Sequence, residues 1–159
     1  MHPQMELEIP QEPEFEMGGG GLYSTIGDYA KFVRMILNKG TSNGTQILKP
    51  ATVDQMAENQ IGALRVRPLH AAVLEFSNDA EFFPGLNKSW GLTFMINEEE
   101  TPTGRPAGSL AWAGLANSFY WIDIQSGVGG VYATQIIPFA DKASLGLFET
   151  FEKTVYDSR

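Results

Sequence analysis

The segment Ser109–Leu115, with the sequence SLAWAGL, has the residue types in this chain that best fit chemistry at a backbone. It is predicted to be a strand near a sheet edge, and its glycine would let a bound acyl group approach the main chain closely. A backbone N–H directed at a developing oxyanion contributes several kcal/mol in acyl transfer. Trp112 would add an apolar surface for a substrate. From these residues alone, a plain core strand is the more common structure and a substrate-binding edge is the alternative.

The side chains that usually form an acyl intermediate do not occur at the required spacings in this sequence. No serine is followed by a lysine three residues later, and the G-x-S-x-G elbow is absent. Thr150-x-x-Lys153 has the first spacing, but it falls in a predicted terminal helix. The two histidines are His2, in a proline-rich arm, and His70, in a segment without clear periodicity. Neither indicates a Ser-His-Asp triad.

Two other runs could suggest ligand binding. The glycines at 18–21 lack the G-x-G-x-x-G spacing and the lysine of phosphate loops, so they favour a close crossing of backbones instead. The glutamates at 98–100 are consecutive and have no histidine nearby, which is typical of a solvated loop. We therefore expect no cofactor and no metal ion.

The composition limits the class of protein. The chain has 159 residues, of which 43% are hydrophobic, which suffices for one domain with a core. A net charge of −8 argues against nucleic acid and against an anionic membrane surface as partners. The sequence has no cysteine and no apolar run of about 18 residues that would span a membrane. Its acidic start does not have the pattern of a signal peptide, so we expect a cytoplasmic protein.

The pattern of apolar residues predicts an extended, acidic, proline-rich arm over residues 1–17 and a folded domain over residues 18–159. Apolar residues at helical spacing predict helices at about 26–38, 50–58 and 141–157. Aromatic and β-branched runs predict strands at about 89–97, 107–114, 117–124 and 128–138. Residues 41–46 are expected to form a turn-rich loop and 70–76 a short helix. The fold class is therefore α+β, an antiparallel sheet flanked by helices.

Several blocks of the sequence resemble β-lactamase-like serine esterases and acyltransferases. GGGGLYSTIGDYAKFVRMILNKG, QILKPATVDQM and AGSLAWAGLANSFYWID follow one another in the order found in that family. The amino-acid sequence of these blocks is most similar to fungal-type esterases and lovastatin-type acyltransferases. The resemblance runs from about Phe15 to Tyr156. It implies the C-terminal part of the β-lactamase/transpeptidase-like fold, without the N-terminal part.

The resemblance also implies a site. In the family a W-x-G segment replaces the K-T-G motif and forms a wall of the acyl pocket, and here it corresponds to Trp112, Ala113 and Gly114. The backbone N–H of Leu115 would match one of the two oxyanion donors. Asn117 and Tyr120 would face the substrate. The S-x-x-K serine and lysine and the catalytic tyrosine belong to the family's N-terminal part, so we expect this chain alone to be inactive.

The implied function is that of the C-terminal portion of a serine hydrolase or acyltransferase, which uses an acyl-serine intermediate on a small-molecule ester or thioester. The alternatives are a truncated, non-catalytic homologue that acts as a binding or assembly module, and an enzyme with unrelated chemistry in the same pocket. Because the first and last chain segments share the sheet in this family, we expect an open sheet edge. The missing N-terminal half, a second copy or the N-terminal arm would cover that edge.

Overall fold

An antiparallel sheet of five strands lies between helices on both of its faces. The computed structural model describes residue 10 and residues 12–159, so most of the predicted arm, residues 1–9 and 11, lies outside the described residues. The described helices are α1 (Ile26–Leu37), α2 (Pro50–Ala57) and α3 (Lys142–Asp157). The strands are β1 (Thr41–Ser42), β2 (Thr45–Gln46), β3 (Lys88–Trp90), β4 (Met95–Asn97), β5 (Leu110–Gly114), β6 (Ser118–Asp123) and β7 (Val128–Tyr132). The predicted α+β class is confirmed.

The large sheet is a simple meander. Its order is β3-β4-β5-β6-β7, and every neighbouring pair is antiparallel. Strands β1 and β2 form a separate small hairpin in the segment predicted as a loop. Within residue 10 and residues 12–159, no helix combines the length and the hydrophobicity needed to cross a bilayer.

The helices begin where the sequence predicts them to begin. The Thr25 hydroxyl caps α1 by accepting a hydrogen bond of 3.1 Å from the backbone N–H of Asp28. The Asp141 carboxylate caps α3 in the same way, 2.9 Å from the backbone N of Ser144. Such caps satisfy N–H groups that have no partner inside the first helical turn. All three helices end within one residue of the predicted positions.

The alternation of β6 divides the core into two clusters. Tyr120 and Ile122 pack on the face that is covered by α1 and α2, whereas Phe119 and Trp121 pack on the face that is covered by α3. Successive side chains of a strand point to opposite faces, so one strand can serve both clusters. These four side chains are 0–7% exposed, so β6 is buried on both of its faces.

The prediction of one strand at 89–97 is wrong, because this segment is the hairpin of β3 and β4. The turn includes Gly91, whose backbone N donates a 2.8 Å hydrogen bond to the Phe94 carbonyl. A side chain at Gly91 would place its Cβ only 2.0 Å from the Met56 carbonyl oxygen at the end of α2. The close approach of α2 therefore requires glycine here, and the chain turns at this point.

Two further elements differ from the prediction. Residues 70–76 form no helix, because Leu69 and Ala80 pair in an antiparallel bridge and the Asp79 carboxylate accepts a 2.8 Å hydrogen bond from the Ala71 N–H. The last strand was predicted over 128–138, but β7 ends at Tyr132. Beyond it, the carbonyls of residues 136 and 138 accept hydrogen bonds from a buried side chain instead of a neighbouring strand.

A buried ion pair joins α3 to the loop after β4. The Arg105 guanidinium lies 3.2 Å from the Glu152 carboxylate, and both side chains are at most 2% exposed. The Thr103 hydroxyl donates a 2.5 Å hydrogen bond to the same carboxylate, and the guanidinium lies over the Phe83 ring. Burial raises the pKa of Glu152, while Arg105 and Thr103 act to lower it. The pair holds the 101–105 loop against α3.

Replacing Gly130 by alanine tests the packing of β7. A Cβ at this position would lie 2.1 Å from the Trp121 ring, and overpacking of this kind costs about 1–3 kcal/mol. We expect Gly130→Ala to lower the free energy of unfolding by that amount in urea titrations. Gly146→Ala in α3 is the matched control, because its Cβ meets nothing within 4 Å and a helical alanine adds about 1 kcal/mol. Equal stability of the two variants would contradict the packing argument.

Candidate functional site

A pocket of about 260 Å³ opens where the N-terminus of α1 meets the ends of β5 and β6. The strands contribute three cross-strand pairs to it, which are Trp112 with Tyr120, Ala113 with Phe119, and Gly114 with Ser118. The helix contributes its first turn and its cap, and β7 lies on the remaining side; these lining residues are Ser24, Thr25, Ile26, Tyr29, Val131 and Ala133.

The structure brings together four of the residues singled out from the sequence. Trp112, Ala113, Gly114 and Tyr120 all line this pocket. Leu115 follows Gly114 in the turn between β5 and β6, and its side chain is 50% exposed. A role in substrate binding for these residues and an oxyanion role for the Leu115 N–H stay predictions.

Asn117 lies in the same turn, but the structure does not place it in the pocket lining. It is fully buried, and its side-chain amide donates hydrogen bonds of 2.8 Å to the Ile136 and Pro138 carbonyls. Its side-chain oxygen accepts a 3.0 Å hydrogen bond from the Asp141 N–H. A side chain that is occupied in this way is directed at the protein interior and not at a substrate.

Aromatic neighbours hold the Trp112 indole in place. Its ring lies 4.5 Å from the Trp90 ring, centroid to centroid, in an edge-on arrangement at 83°. Phe82 packs edge-on from another side at 6.2 Å. Edge-to-face contacts of this kind stabilise a pair by about 0.5–1.5 kcal/mol beyond the area buried. These two neighbours restrict the side-chain rotation of Trp112, so the apolar wall of the pocket has a defined position.

Tyr29 from α1 meets Tyr120 from β6 at the inner end of the pocket. Their ring centroids are 5.2 Å apart, and their ring planes are inclined at 52°. Burial raises the pKa of both phenols, and for Tyr120 the rise is large because this side chain is only 7% exposed. Both groups therefore stay neutral across the physiological range. Sequence reasoning identified Tyr29 only as a member of the apolar face of a helix.

The pocket supplies shape, apolar surface and hydroxyl groups. Among the described residues that line it there is no lysine, histidine, aspartate or glutamate. A general base would therefore have to come from outside this set. His70 does pair with a carboxylate, since its Nδ1 lies 3.0 Å from Asp79, but both side chains are exposed and neither lines the pocket.

Comparison with known proteins identifies the family. The model of the family described as Beta-lactamase matches residues 2–145, which is most of the chain. The chain belongs to the Beta-lactamase family. Its antiparallel sheet with flanking helices and the W-A-G strand end beside α1 are the features of this member that form the pocket.

Two curated relatives show which activities occur among similar proteins. The chain is 27% identical over 156 residues to acyltransferase calJ of Penicillium decumbens, covering 89% of this chain and 34% of that protein. It is 29% identical over 145 residues to lovastatin esterase of Penicillium rubens, covering 87% and 35%. The chain thus spans about a third of the length of these relatives, and the match falls on their C-terminal part.

A solved structure supports the fold. Unliganded simvastatin synthase LovD from Aspergillus terreus superposes with a TM-score of 0.71 at 24% identity, over 92% of this chain and 36% of that chain. The predicted β-lactamase-like fold is confirmed by this likeness together with the family match.

The raised pKa values of Tyr29 and Tyr120 predict a loss of stability at alkaline pH. The folded protein keeps these phenols neutral, whereas the unfolded chain ionises them near pH 10. The unfolded state then binds fewer protons, so the free energy of unfolding should fall as the pH rises above about 10. Urea titrations between pH 8 and pH 11 should show a shallower fall for Tyr120→Phe than for the wild type. A wild-type slope in Tyr120→Phe would contradict the assignment.

Proposed function

We propose that this chain is the C-terminal portion of a serine hydrolase or acyltransferase that works through an acyl-serine intermediate. The observation that carries the proposal is the pocket at the end of β5. There the W-x-G segment, Trp112–Gly114, forms one wall opposite the N-terminus of α1. An acyltransferase and an esterase among the similar proteins support the reaction class.

In this function each part of the wall has a role. The Leu115 N–H is one of two donors to the oxyanion that forms when the serine attacks the acyl carbonyl. The indole of Trp112 is an apolar surface for the acyl group or its acceptor. A pocket of about 260 Å³ suits an ester or thioester of a modest acyl group. Ala113 would make the pocket tighter than the glycine that many relatives have there.

The nucleophile must come from a partner segment. The sequence has no S-x-x-K element, so we propose that a segment corresponding to the N-terminal half of the relatives completes the site. Within the described sheet β7 has one neighbouring strand, so its other side offers an edge for such a segment or for a second copy of this chain. The outer side of β3 is already engaged, because the carbonyls of residues 88 and 90 accept hydrogen bonds from the backbone N–H groups of residues 66 and 60. The cytoplasmic location expected from the sequence remains a prediction.

A second candidate function is a non-catalytic binding or assembly module. It is favoured by the lack of acidic and basic side chains among the described residues that line the pocket. Under this function the pocket would bind a ligand or a partner without turning it over.

Labelling with a serine-reactive fluorophosphonate separates the two. We expect denaturing intact-mass spectra of the natively produced protein to show the label on a second chain or on a longer precursor that contains these residues. A heat-denatured sample controls for non-specific labelling. A single unlabelled species at the mass of the 159 residues would contradict the hydrolase and favour the binding module.

The oxyanion role of Leu115 is tested by the rate at which variants of the reactive species take up the fluorophosphonate. Leu115→Pro removes the backbone N–H, and loss of one oxyanion donor slows acylation by about 100-fold or more. Leu115→Ala shortens the same half-exposed side chain but keeps the N–H, so it should label within about threefold of the wild type. Equal labelling rates in the proline and alanine variants would exclude Leu115 as a donor.

A further inference from the structure

The side chain of Asn117 connects the turn between β5 and β6 to the segment that precedes α3. We propose that Asn117 is a positioning residue that fixes the conformation of this turn and thereby the place of the Leu115 N–H at the pocket. The catalytic consequence rests on the proposed function, whereas the structural part stands on the contacts of Asn117 alone.

The side chain of Asn117 uses both ends of its amide. The nitrogen donates to the carbonyls of Ile136 and Pro138, each at 2.8 Å, and the oxygen accepts from the Asp141 N–H at 3.0 Å. The residue is fully buried. A buried amide with three hydrogen bonds of good length is expensive to move, because any displacement would leave buried polar groups without partners.

Residues 134 and 136, which precede α3, also form hydrogen bonds with the backbone of the turn. The Thr134 hydroxyl donates to the Ala116 carbonyl at 2.6 Å and lies 3.3 Å from the Asn117 carbonyl. The Ile136 N–H donates to the Ala116 carbonyl at 3.4 Å. The residue after Leu115 is thus attached to the 134–141 segment, which leads directly into the capped N-terminus of α3.

The backbone of Asn117 explains why asparagine occupies this position. Its φ is +56°, in the left-handed region where most side chains are strained. Three-residue hairpin loops commonly end in a residue of this conformation, and asparagine tolerates it better than most residues other than glycine. Glycine would accept the backbone but could not make the three side-chain hydrogen bonds. Asparagine satisfies both requirements.

The three hydrogen bonds of the Asn117 side chain, which we call the clamp, lie next to the place where an oxyanion would form. Leu115 is the first residue of the turn, directly after Gly114 of the pocket wall, and its own side chain is half exposed and offers little packing. The anchoring contacts of the turn come from Ala116 and Asn117. A donor must be held within a fraction of an ångström to act on a transition state, so a residue that rigidifies the turn governs the effectiveness of the Leu115 N–H.

Backbone order measured by ¹⁵N relaxation on the 159-residue chain tests the clamp without any activity. We expect order parameters of about 0.85 for the Leu115 and Ala116 amides in the wild type. Asn117→Gly keeps the left-handed backbone and removes the three hydrogen bonds, so these values should fall to about 0.6 or lower. Amides in β4 should keep their wild-type values.

Asn43→Gly is the matched control, because Asn43 also has a positive φ of 48° but lies exposed in the hairpin of β1 and β2. It should leave the Leu115 amide unchanged. If Asn117→Gly does not fold, Asn117→Asp decides, since a carboxylate can still accept from the Asp141 N–H but cannot donate to the two carbonyls. Wild-type order at Leu115 in a folded Asn117→Gly variant, or in Asn117→Asp if that variant must decide, would overturn the clamp even if thermal stability fell.

The catalytic consequence is measured in the protein that the fluorophosphonate identifies, prepared without the label so that its serine is free. Asn117→Gly should lower kcat for ester cleavage by about tenfold or more with KM within twofold, because the clamp serves the transition state and not ground-state binding. An unchanged kcat in a variant with a disordered Leu115 would refute the positioning role. Absence of labelling in the wild type would refute the proposed function instead, and the order parameters would still decide whether the clamp exists.

Discussion

The arrangement depends on the packing of one strand, β6, which is buried on both faces. On one face the Trp121 ring lies over Gly130 of the neighbouring strand, where even a methyl group would be 2.1 Å from the indole. On the other face a Cβ at Gly129 would lie 2.6 Å from the Val33 side chain of α1. Two successive glycines on β7 therefore let a large ring pack on one side and a helix on the other. Close packing of this kind leaves little freedom for the sheet to shift.

The position of α1 follows from this packing and determines the shape of the pocket. Because α1 lies close against β7, its first turn and Tyr29 reach the end of the β5–β6 hairpin and close one side of the pocket. The opposite wall is a strand end whose indole is held by two other aromatic rings. The floor carries two neutral phenols. The result is a mainly apolar surface that lies next to the turn between β5 and β6.

The polar groups of the chain serve mainly to hold its loops. Arg105 and Glu152 join the 101–105 loop to α3, and Asn117 joins the hairpin turn to the segment before α3. Both contacts are buried, and removing one partner would leave the other as an unpaired buried polar group, which is costly. The last helix is thus connected to two loops at opposite ends of the sheet. Such anchoring accounts for defined loop positions in a protein whose loops contain many of its 17 glycines and 9 prolines.

The sequence by itself determined the elements whose signals are local. Helix periodicity, the Thr25 and Asp141 caps, and the turn after Gly114 are properties of neighbouring residues, so the three helices and the central strands were predicted correctly. The W-x-G resemblance also selected four residues that the fold brings to one pocket. Only the tertiary structure decided the rest. Glycine is required at residue 91 by the approach of α2 from a distant part of the chain, and Tyr29 became a pocket residue only through its contact with Tyr120. Asn117 turned away from the pocket because its hydrogen-bond partners lie about 20 residues later in the chain, at a distance that local patterns cannot report.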